Sequence, residues 1–232
     1  MILEVIVTDA AEAELAAQAG AGRVELVTDL QGGGLSPPPG VVRETLARVR
    51  IPVRVMLRCR RGGFTYDVSE QEAMLAQASE FVGAGARGLV FGALESQGRI
   101  DRAFLQRLLE AAPGAQITFH RAFDELADPI GGYRELGRVP QVTHVLTSGC
   151  ARDAWNGRGL LRELIALRES PAVIAAGGIG PRTIGAILAE TGATEVHSGS
   201  GARIGGRLDP SRIAAMAAQL GSPGGRVRGE RG

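Results

Sequence analysis

Residues 117–124, which read Ile-Thr-Phe-His-Arg-Ala-Phe-Asp, decide the fold because a strand pattern ends there and a helix start follows. Apolar and β-compatible residues lead up to His120, and Asp128 with Pro129 then supplies an N-cap and a first-turn proline. The stretch is therefore predicted to be the carboxyl end of a strand that feeds a helix. Ligands of parallel α/β proteins bind at this end of the sheet, so ionisable side chains here are candidates for a functional site.

Three side chains of this stretch are candidate catalytic residues, namely His120, Arg121 and Asp124. Alternation along a strand places His120 and Asp124 on the inward face and Arg121 on the other face. The alternative is a salt-bridged polar layer that only fixes the interior of a barrel.

The same strand-to-helix unit recurs along the chain, and its helices have recognisable starts. Asp9 with Glu12 and Ser69 with Glu72 have the spacing of capping boxes. Such units close into a (β/α)8 TIM-type barrel, whereas an open doubly wound sheet would carry a glycine fingerprint that is absent after Thr8. The eight predicted strands are Ile2 to Thr8, Arg23 to Asp29, Val53 to Arg58, Gly88 to Ala93, Gln116 to Ala122, His144 to Ser148, Ala172 to Ala176 and Glu195 to Ser198.

The 232 residues are predicted to form a single α/β domain over residues 1–221. Residues 222–232 are rich in glycine and arginine and lack apolar periodicity, so this C-terminal tail is predicted to be disordered.

Charge and apolar patterning exclude several classes of partner. The formal net charge is +1 with both signs mixed along the chain, so neither nucleic acid nor an anionic membrane is an expected partner. No apolar run is long enough to span a bilayer, and the first residues enter a strand without a basic segment or a cleavage site. The sequence therefore predicts a cytoplasmic protein.

All 26 basic residues other than histidine are arginine, and the chain contains no lysine. Schiff-base chemistry on a lysine side chain is therefore excluded.

Strands that are rich in apolar residues, and are therefore predicted to be buried, carry further charged residues. These residues converge if the barrel closes. Glu4 and Glu25 lie among apolar neighbours in the first two strands, Arg58 ends the third, and His197 lies in the eighth. Together with His120 they offer a base, an acid and a charge clamp for proton transfer on a substrate that carries an oxyanion. An internal salt-bridge network is the alternative for the two glutamates, because a buried carboxylate needs a partner.

Two glycine-rich loops are candidate anion sites. They follow the seventh and eighth strands, where phosphate-binding barrels place backbone N–H groups close to the ligand. Tight turns without a ligand are the alternative. The candidate anion-binding residues are Gly177, Gly178, Ser198, Gly199, Ser200 and Arg203.

With these residues assembled, the chain resembles the copper homeostasis protein CutC family over nearly its whole length. The resemblance implies a cytoplasmic TIM-type barrel, commonly a homo-oligomer such as a dimer or a tetramer, that is associated with copper handling and binds copper. The matching stretches are residues 22–26, 32–37, 51–53, 88–94, 118–124, 145–150 and 195–198.

The chain departs from this family where copper ligands are concerned. Many family members carry a cysteine two residues after each of the glutamates in strands one and two, where this chain has Ile6 and Val27. Aliphatic side chains cannot bind soft Cu(I). Cys59 and Cys150 are too isolated for a disulfide framework or a zinc knuckle, and they are only weak candidates for metal ligands.

Two hypotheses therefore stay open at this stage. The resemblance implies a copper-binding homeostasis protein, with copper expected on that ground alone. The strand-end residues favour a metal-independent enzyme, a lyase or isomerase that acts by acid–base chemistry on a small phosphorylated or carboxylated metabolite.

Overall fold

Eight parallel strands close into a barrel in which each strand pairs with the next along the chain and β8 pairs with β1. This computed structural model describes residues 1–221, so the prediction for residues 222–232 lies outside it. The prediction of a (β/α)8 TIM-type barrel is confirmed. The strands are β1 (Ile2–Val7), β2 (Arg23–Leu26), β3 (Val53–Met56), β4 (Gly88–Phe91), β5 (Gln116–Phe119), β6 (Val142–Thr147), β7 (Ala172–Ala175) and β8 (Glu195–Ser198).

One α-helix follows each strand. The α1 N-cap is Asp9, whose side chain accepts from the Glu12 amide, as the spacing predicts. The prediction for α3 is wrong by two residues, because the capping box there is Asp67 with Glu70. The helices are α1 (Ala10–Gln18), α2 (Pro39–Arg48), α3 (Val68–Gly83), α4 (Arg102–Ala111), α5 (Pro129–Leu136), α6 (Arg158–Ala166), α7 (Ile184–Thr191) and α8 (Pro210–Gly221).

Several predicted strands run past their observed carboxyl ends. Short 3-10 helices over Leu30–Gly32, Arg121–Glu125 and Ser200–Ala202 follow β2, β5 and β8, and a two-stranded hairpin of β9 (Arg203–Ile204) and β10 (Arg207–Leu208) precedes α8. These turns form at the end of the barrel where the strands stop pairing, so apolar residues beyond them belong to loops.

The core lies mainly between the strands and the helices. Leu3, Val5 and Val7 of β1 belong to the large apolar cluster there, as strand alternation requires. The intervening residues of β1 face the barrel interior, where Ile6 packs against Val27 and its neighbours, while Glu4 is fully buried. The interior therefore holds polar side chains as well as apolar ones.

Within residues 1–221, the helices are too short or too polar to cross a membrane.

Candidate functional site at the barrel mouth

A cavity of about 210 Å³ opens at the carboxyl ends of the strands. Five of the seven candidate catalytic residues line this mouth, which agrees with the predicted convergence of Arg58, His120 and His197. The candidates that line it are Glu25, Arg58, His120, Arg121 and His197, together with Gly177, Gly178, Gly199 and Ser200 of the two glycine-rich loops.

Glu4 lies beneath the mouth and is bound on both oxygens. Its Oε2 accepts from Arg23 Nε, and its Oε1 lies 2.8 Å from His197 Nδ1. Burial raises the pKa of Glu4, but the hydrogen bond from His197 and the charges of Arg23 and His197 outweigh burial and lower the pKa to about 2. Glu4 is therefore a permanent anion that fixes its two neighbours.

Glu25, like Glu4, lies among apolar residues of its strand, but its pKa is shifted in the opposite direction. It is 2% exposed, and its Oε1 has no hydrogen-bond partner among residues 1–221. Burial raises its pKa to about 7, with the charge of His197 opposing the shift and that of Glu4 adding to it. This carboxyl group is poised to exchange a proton or to accept a cation.

His197 joins the two carboxyl groups. Because Glu4 is ionised, the His197 Nδ1 carries the proton of their shared hydrogen bond, which turns Nε2 towards Glu25 Oε2 at 3.8 Å. Burial lowers the pKa of His197, but the charge of Glu25 and the hydrogen bond to Glu4 raise it overall. Ligand atoms of Glu4, Glu25 and His197 all lie within 4.8 Å of one another, a spacing that suits a metal ion.

Arg58 and His120 lie on another side of the mouth around Phe64. The Arg58 guanidinium carbon is 4.9 Å from the centre of the Phe64 ring, and the rings of Phe64 and His120 are also 4.9 Å apart. Arg58 donates to the carbonyl oxygens of Gly32 and Gly62, at 3.2 and 2.6 Å, while its buried Nε has no partner in the described part of the chain. The arginine thereby ties the loops after β2 and β3 together above the barrel.

His120 lines the mouth from the inward face that strand alternation predicts, but its side chain is almost fully buried. His120 is 3% exposed, and burial together with the charge of Arg58 lowers its pKa to about 3, so the imidazole is neutral. Its Nδ1 accepts from the Ala122 amide at 3.1 Å, which assigns the proton to Nε2. Since Nε2 has no partner within the described residues 1–221, His120 offers the mouth a neutral hydrogen-bond donor.

The predicted facing of Arg121 and Asp124 is reversed. Arg121 lines the mouth and Asp124 does not, because the strand ends at Phe119 and the following 3-10 turn breaks the two-residue alternation. The Asp124 carboxylate accepts from the Ser148 and Cys150 amides and from Arg121 Nε. It anchors the loop after β6 rather than contacting the cavity.

The two glycine-rich loops meet at the mouth, but two predicted donors there are committed elsewhere. Ser198 Oγ donates to the Ile179 carbonyl at 2.8 Å, and the Arg203 guanidinium pairs with both carboxylate oxygens of Glu12. Gly178 has φ of +71°, a conformation that strongly favours glycine. The glycine-rich loop residues that line the cavity, and so remain available to an anion, are Gly177, Gly178, Gly199 and Ser200.

Comparisons with known proteins agree on one family. The family model described as "CutC family" matches residues 1–202. A mouse protein named "Copper homeostasis protein cutC homolog" is 38% identical over 221 residues, which cover 94% of this chain and 81% of that protein. The chain belongs to the CutC family.

The solved structures place this CutC chain among TIM barrels. A CutC crystal structure from Streptococcus agalactiae has a TM-score of 0.80 at 28% identity and covers 86% of this chain and 99% of that one. A phosphoribosylanthranilate isomerase from Pyrococcus furiosus has a TM-score of 0.63 at 15% identity, covering 95% and 98% of the two chains. The second likeness shows the shared fold alone.

Thiolate ligands are missing from the mouth of this CutC chain. Ile6 packs against an apolar cluster that contains Val27 and Met56, and neither Cys59 nor Cys150 lines the cavity. Both cysteines are free, and burial raises the pKa of each thiol, to about 11 for Cys150. Both side chains are therefore protonated thiols rather than ligand-ready thiolates at neutral pH.

Sequence reasoning missed three residues that shape this CutC mouth. Arg23 holds Glu4, Phe64 packs against Arg58 and His120, and Gly92 leaves room for the imidazole of His120. A Cβ on Gly92 would lie 2.4 Å from His120 Nδ1. Strand alternation predicts that Arg23 faces inward together with Glu25, so the sequence could have identified Arg23 as a residue of the barrel interior. Phe64 lies in a loop, where no periodicity indicates which way a side chain points.

Proposed function

We propose that this CutC-family protein serves copper homeostasis by binding a copper ion at the mouth between Glu25 and His197. The observation that carries the proposal is the buried, partly unpartnered carboxyl group of Glu25 facing His197 Nε2. The name of the mouse relative supports the connection with copper. The proposal also places the protein in the cytoplasm and expects a homo-oligomer, as the family resemblance implies.

The donor atoms fit one oxidation state of copper better than the other. Imidazole nitrogen and carboxylate oxygen suit Cu(II), while Cu(I) prefers the thiolate or thioether sulfur of cysteine or methionine. Glu4 is already engaged on both oxygens, so it orients His197 instead of binding the ion. Glu25 and His197 are the protein ligands, and the remaining positions are open to solvent or a small ligand.

We expect one Cu(II) ion per chain and weak Cu(I) binding. Cu(I) affinity should fall below that of relatives with the paired cysteines, because Ile6 and Val27 offer no soft ligand and the thioether of Met56 is the one sulfur group that lines the cavity among residues 1–221. Competition against chelators specific for each oxidation state measures both affinities. Cys59→Ala combined with Cys150→Ala should leave the Cu(II) affinity unchanged; tight stoichiometric Cu(I) binding retained in that double variant would overturn the ligand assignment.

The second candidate function is that of an acid–base enzyme, and the hydrogen-bond donors that line the mouth favour it. The His120 imidazole and the Arg58 guanidinium each present a buried nitrogen without a partner beside the same cavity. Neutral and cationic donors held in place stabilise an oxyanion as it forms. In this candidate Glu25 moves the proton and the substrate is a small phosphorylated or carboxylated metabolite of a lyase or isomerase reaction.

This candidate predicts that phosphate binds between Gly178 and Ser200. A Gly178→Ala substitution should weaken phosphate binding about tenfold, since the residue has φ of +71° and its new Cβ would lie 3.3 Å from Asp153. Gly114→Ala is the matched control, because Gly114 has φ of +76° with nothing within 4 Å of its Cβ and precedes β5 at the opposite end. Isothermal titration measures the phosphate affinity of both variants. Equal losses of affinity in the two would show that the anion site is not at the mouth.

A further inference from the structure

A second cavity, of about 270 Å³, opens at the amino ends of the strands, on the floor of the barrel. Among residues 1–221, three arginines line this floor cavity, and no acidic side chain does. They are Arg23, Arg54 and Arg87, which are joined there by Gln116 and Gly88. A concave site whose charged lining residues are all cations attracts anions, and this one lies at the opposite end of the barrel from the mouth.

Arg54 is the unusual member of this group. It is 5% exposed, and its Nη1 and Nη2 donate to the carbonyl oxygen and to Oε1 of Gln116, at 3.4 and 2.9 Å. Its Nη2 also lies 3.3 Å from His144 Nδ1, while its buried Nε has no partner among residues 1–221. No carboxylate pairs with it among residues 1–221, whereas the adjacent Arg23 is held by both Glu4 and Glu195. A buried guanidinium without an anion is costly.

The surrounding backbone makes room for this guanidinium. A Cβ on Gly88 would lie 2.5 Å from both Cδ and Nη1 of Arg54, so only glycine permits the close approach. Burial lowers the pKa of Arg54, and the charge of Arg23 lowers it further, while Glu4 and Glu195 oppose these effects. Arg54 thus holds a buried positive charge that no carboxylate in direct contact balances within residues 1–221.

We propose that the floor cavity binds a small oxyanion, of the phosphate or carboxylate class, against Arg54 with Arg87 at its rim. Guanidinium groups match both anions, because each anion offers oxygens that accept N–H groups. Gln116 and His144 occupy only some of the five N–H groups of Arg54, so the others remain for the anion. The amino end of a (β/α)8 barrel is where residues serve stability rather than catalysis. The bound anion therefore offsets the charge of Arg54 and stabilises the barrel, independently of what binds at the mouth.

The number of phosphate ions bound per chain tests the floor cavity independently of the mouth. Isothermal titration with inorganic phosphate, at constant ionic strength set with chloride, should give one fewer phosphate per chain for Arg54→Gln than for the unmodified protein. Arg50→Gln is the matched control, because Arg50 is exposed, lies between α2 and β3, and is outside the cavity lining. It should leave the number of sites unchanged.

Thermal melting and crystal soaking complete the test. With phosphate absent, Arg54→Gln should melt no lower than the unmodified protein, because it removes a buried charge that lacks a carboxylate. If the variant does not fold, crystals of the unmodified protein soaked in phosphate should show an anion within hydrogen-bond distance of Arg54. An unchanged phosphate stoichiometry in folded Arg54→Gln, or soaked crystals with nothing beside Arg54, would overturn the proposal.

Discussion

Glu25→Gln is expected to lower the Cu(II) affinity at least about 100-fold, because the amide cannot supply the negative charge that the ion requires. The substitution keeps the size of the side chain, so the barrel should remain folded. His197→Ala should give a loss of the same order, since it removes the only nitrogen ligand that faces Glu25 in the described part of the chain. Equilibrium dialysis against a Cu(II) chelator measures these losses.

Glu163→Gln is the matched control for Glu25→Gln, because it makes the same chemical change on the exposed surface of α6. It should leave the Cu(II) affinity unchanged. Cu(II) bound equally well by Glu25→Gln and Glu163→Gln would place the ion elsewhere and leave the mouth to the acid–base candidate.

The stability of Glu25→Gln provides a second readout that does not depend on copper. The pKa of Glu25 is raised to about 7 from its ordinary value of 4.5, so the unfolded chain loses this proton before the folded one does. The folded state therefore loses stability as pH rises through that interval, by up to about 3 kcal/mol from a shift of this size. Glutamine does not ionise, so Glu25→Gln should melt higher than the unmodified protein at pH 8 and show little difference at pH 4.

Glu4→Ala is expected to destabilise the fold by about 3–5 kcal/mol. The side chain is fully buried, and its removal leaves Arg23 with Glu195 alone and His197 without the acceptor for Nδ1. An uncompensated charge in the barrel interior is the physical cause. Urea unfolding at pH 7, with the midpoint and slope both recorded, measures the loss.

Glu135→Ala is the control for Glu4→Ala. It breaks the pair with Arg102 on the surface, where the Arg102 side chain is 74% exposed, and should cost no more than about 1 kcal/mol. The pKa of Glu4 is lowered to about 2, so its contribution is complete above 4.5 and is lost as pH falls through 2. A loss for Glu4→Ala no larger than that for Glu135→Ala would mean that Arg23 is already balanced by Glu195.

The order and kind of the eight barrel strands and of the helices between them followed from the sequence alone, whereas the 3-10 helices and the β9–β10 hairpin did not. Strand periodicity, the Asp9 cap and the Asp128–Pro129 helix start depend on residues close together in the chain, so local chemistry determines them. The sequence also predicted that Arg58, His120 and His197 lie at one end of the barrel, because all parallel strands of a barrel end on the same side. The sequence did not predict the exact strand ends, because strand pairing stops where the rim of the closed barrel begins.

Only the tertiary structure decided what each polar residue does. Glu4 and Glu25 both lie in apolar strand segments, yet the pKa of one is lowered to about 2 and that of the other is raised to about 7. The difference arises because closure of the barrel pairs β1 with β8 and brings Glu4 to His197, while Arg23 reaches Glu4 and not Glu25. A sequence determines which groups a strand presents; the partners that set their charge come from strands as much as 193 residues away.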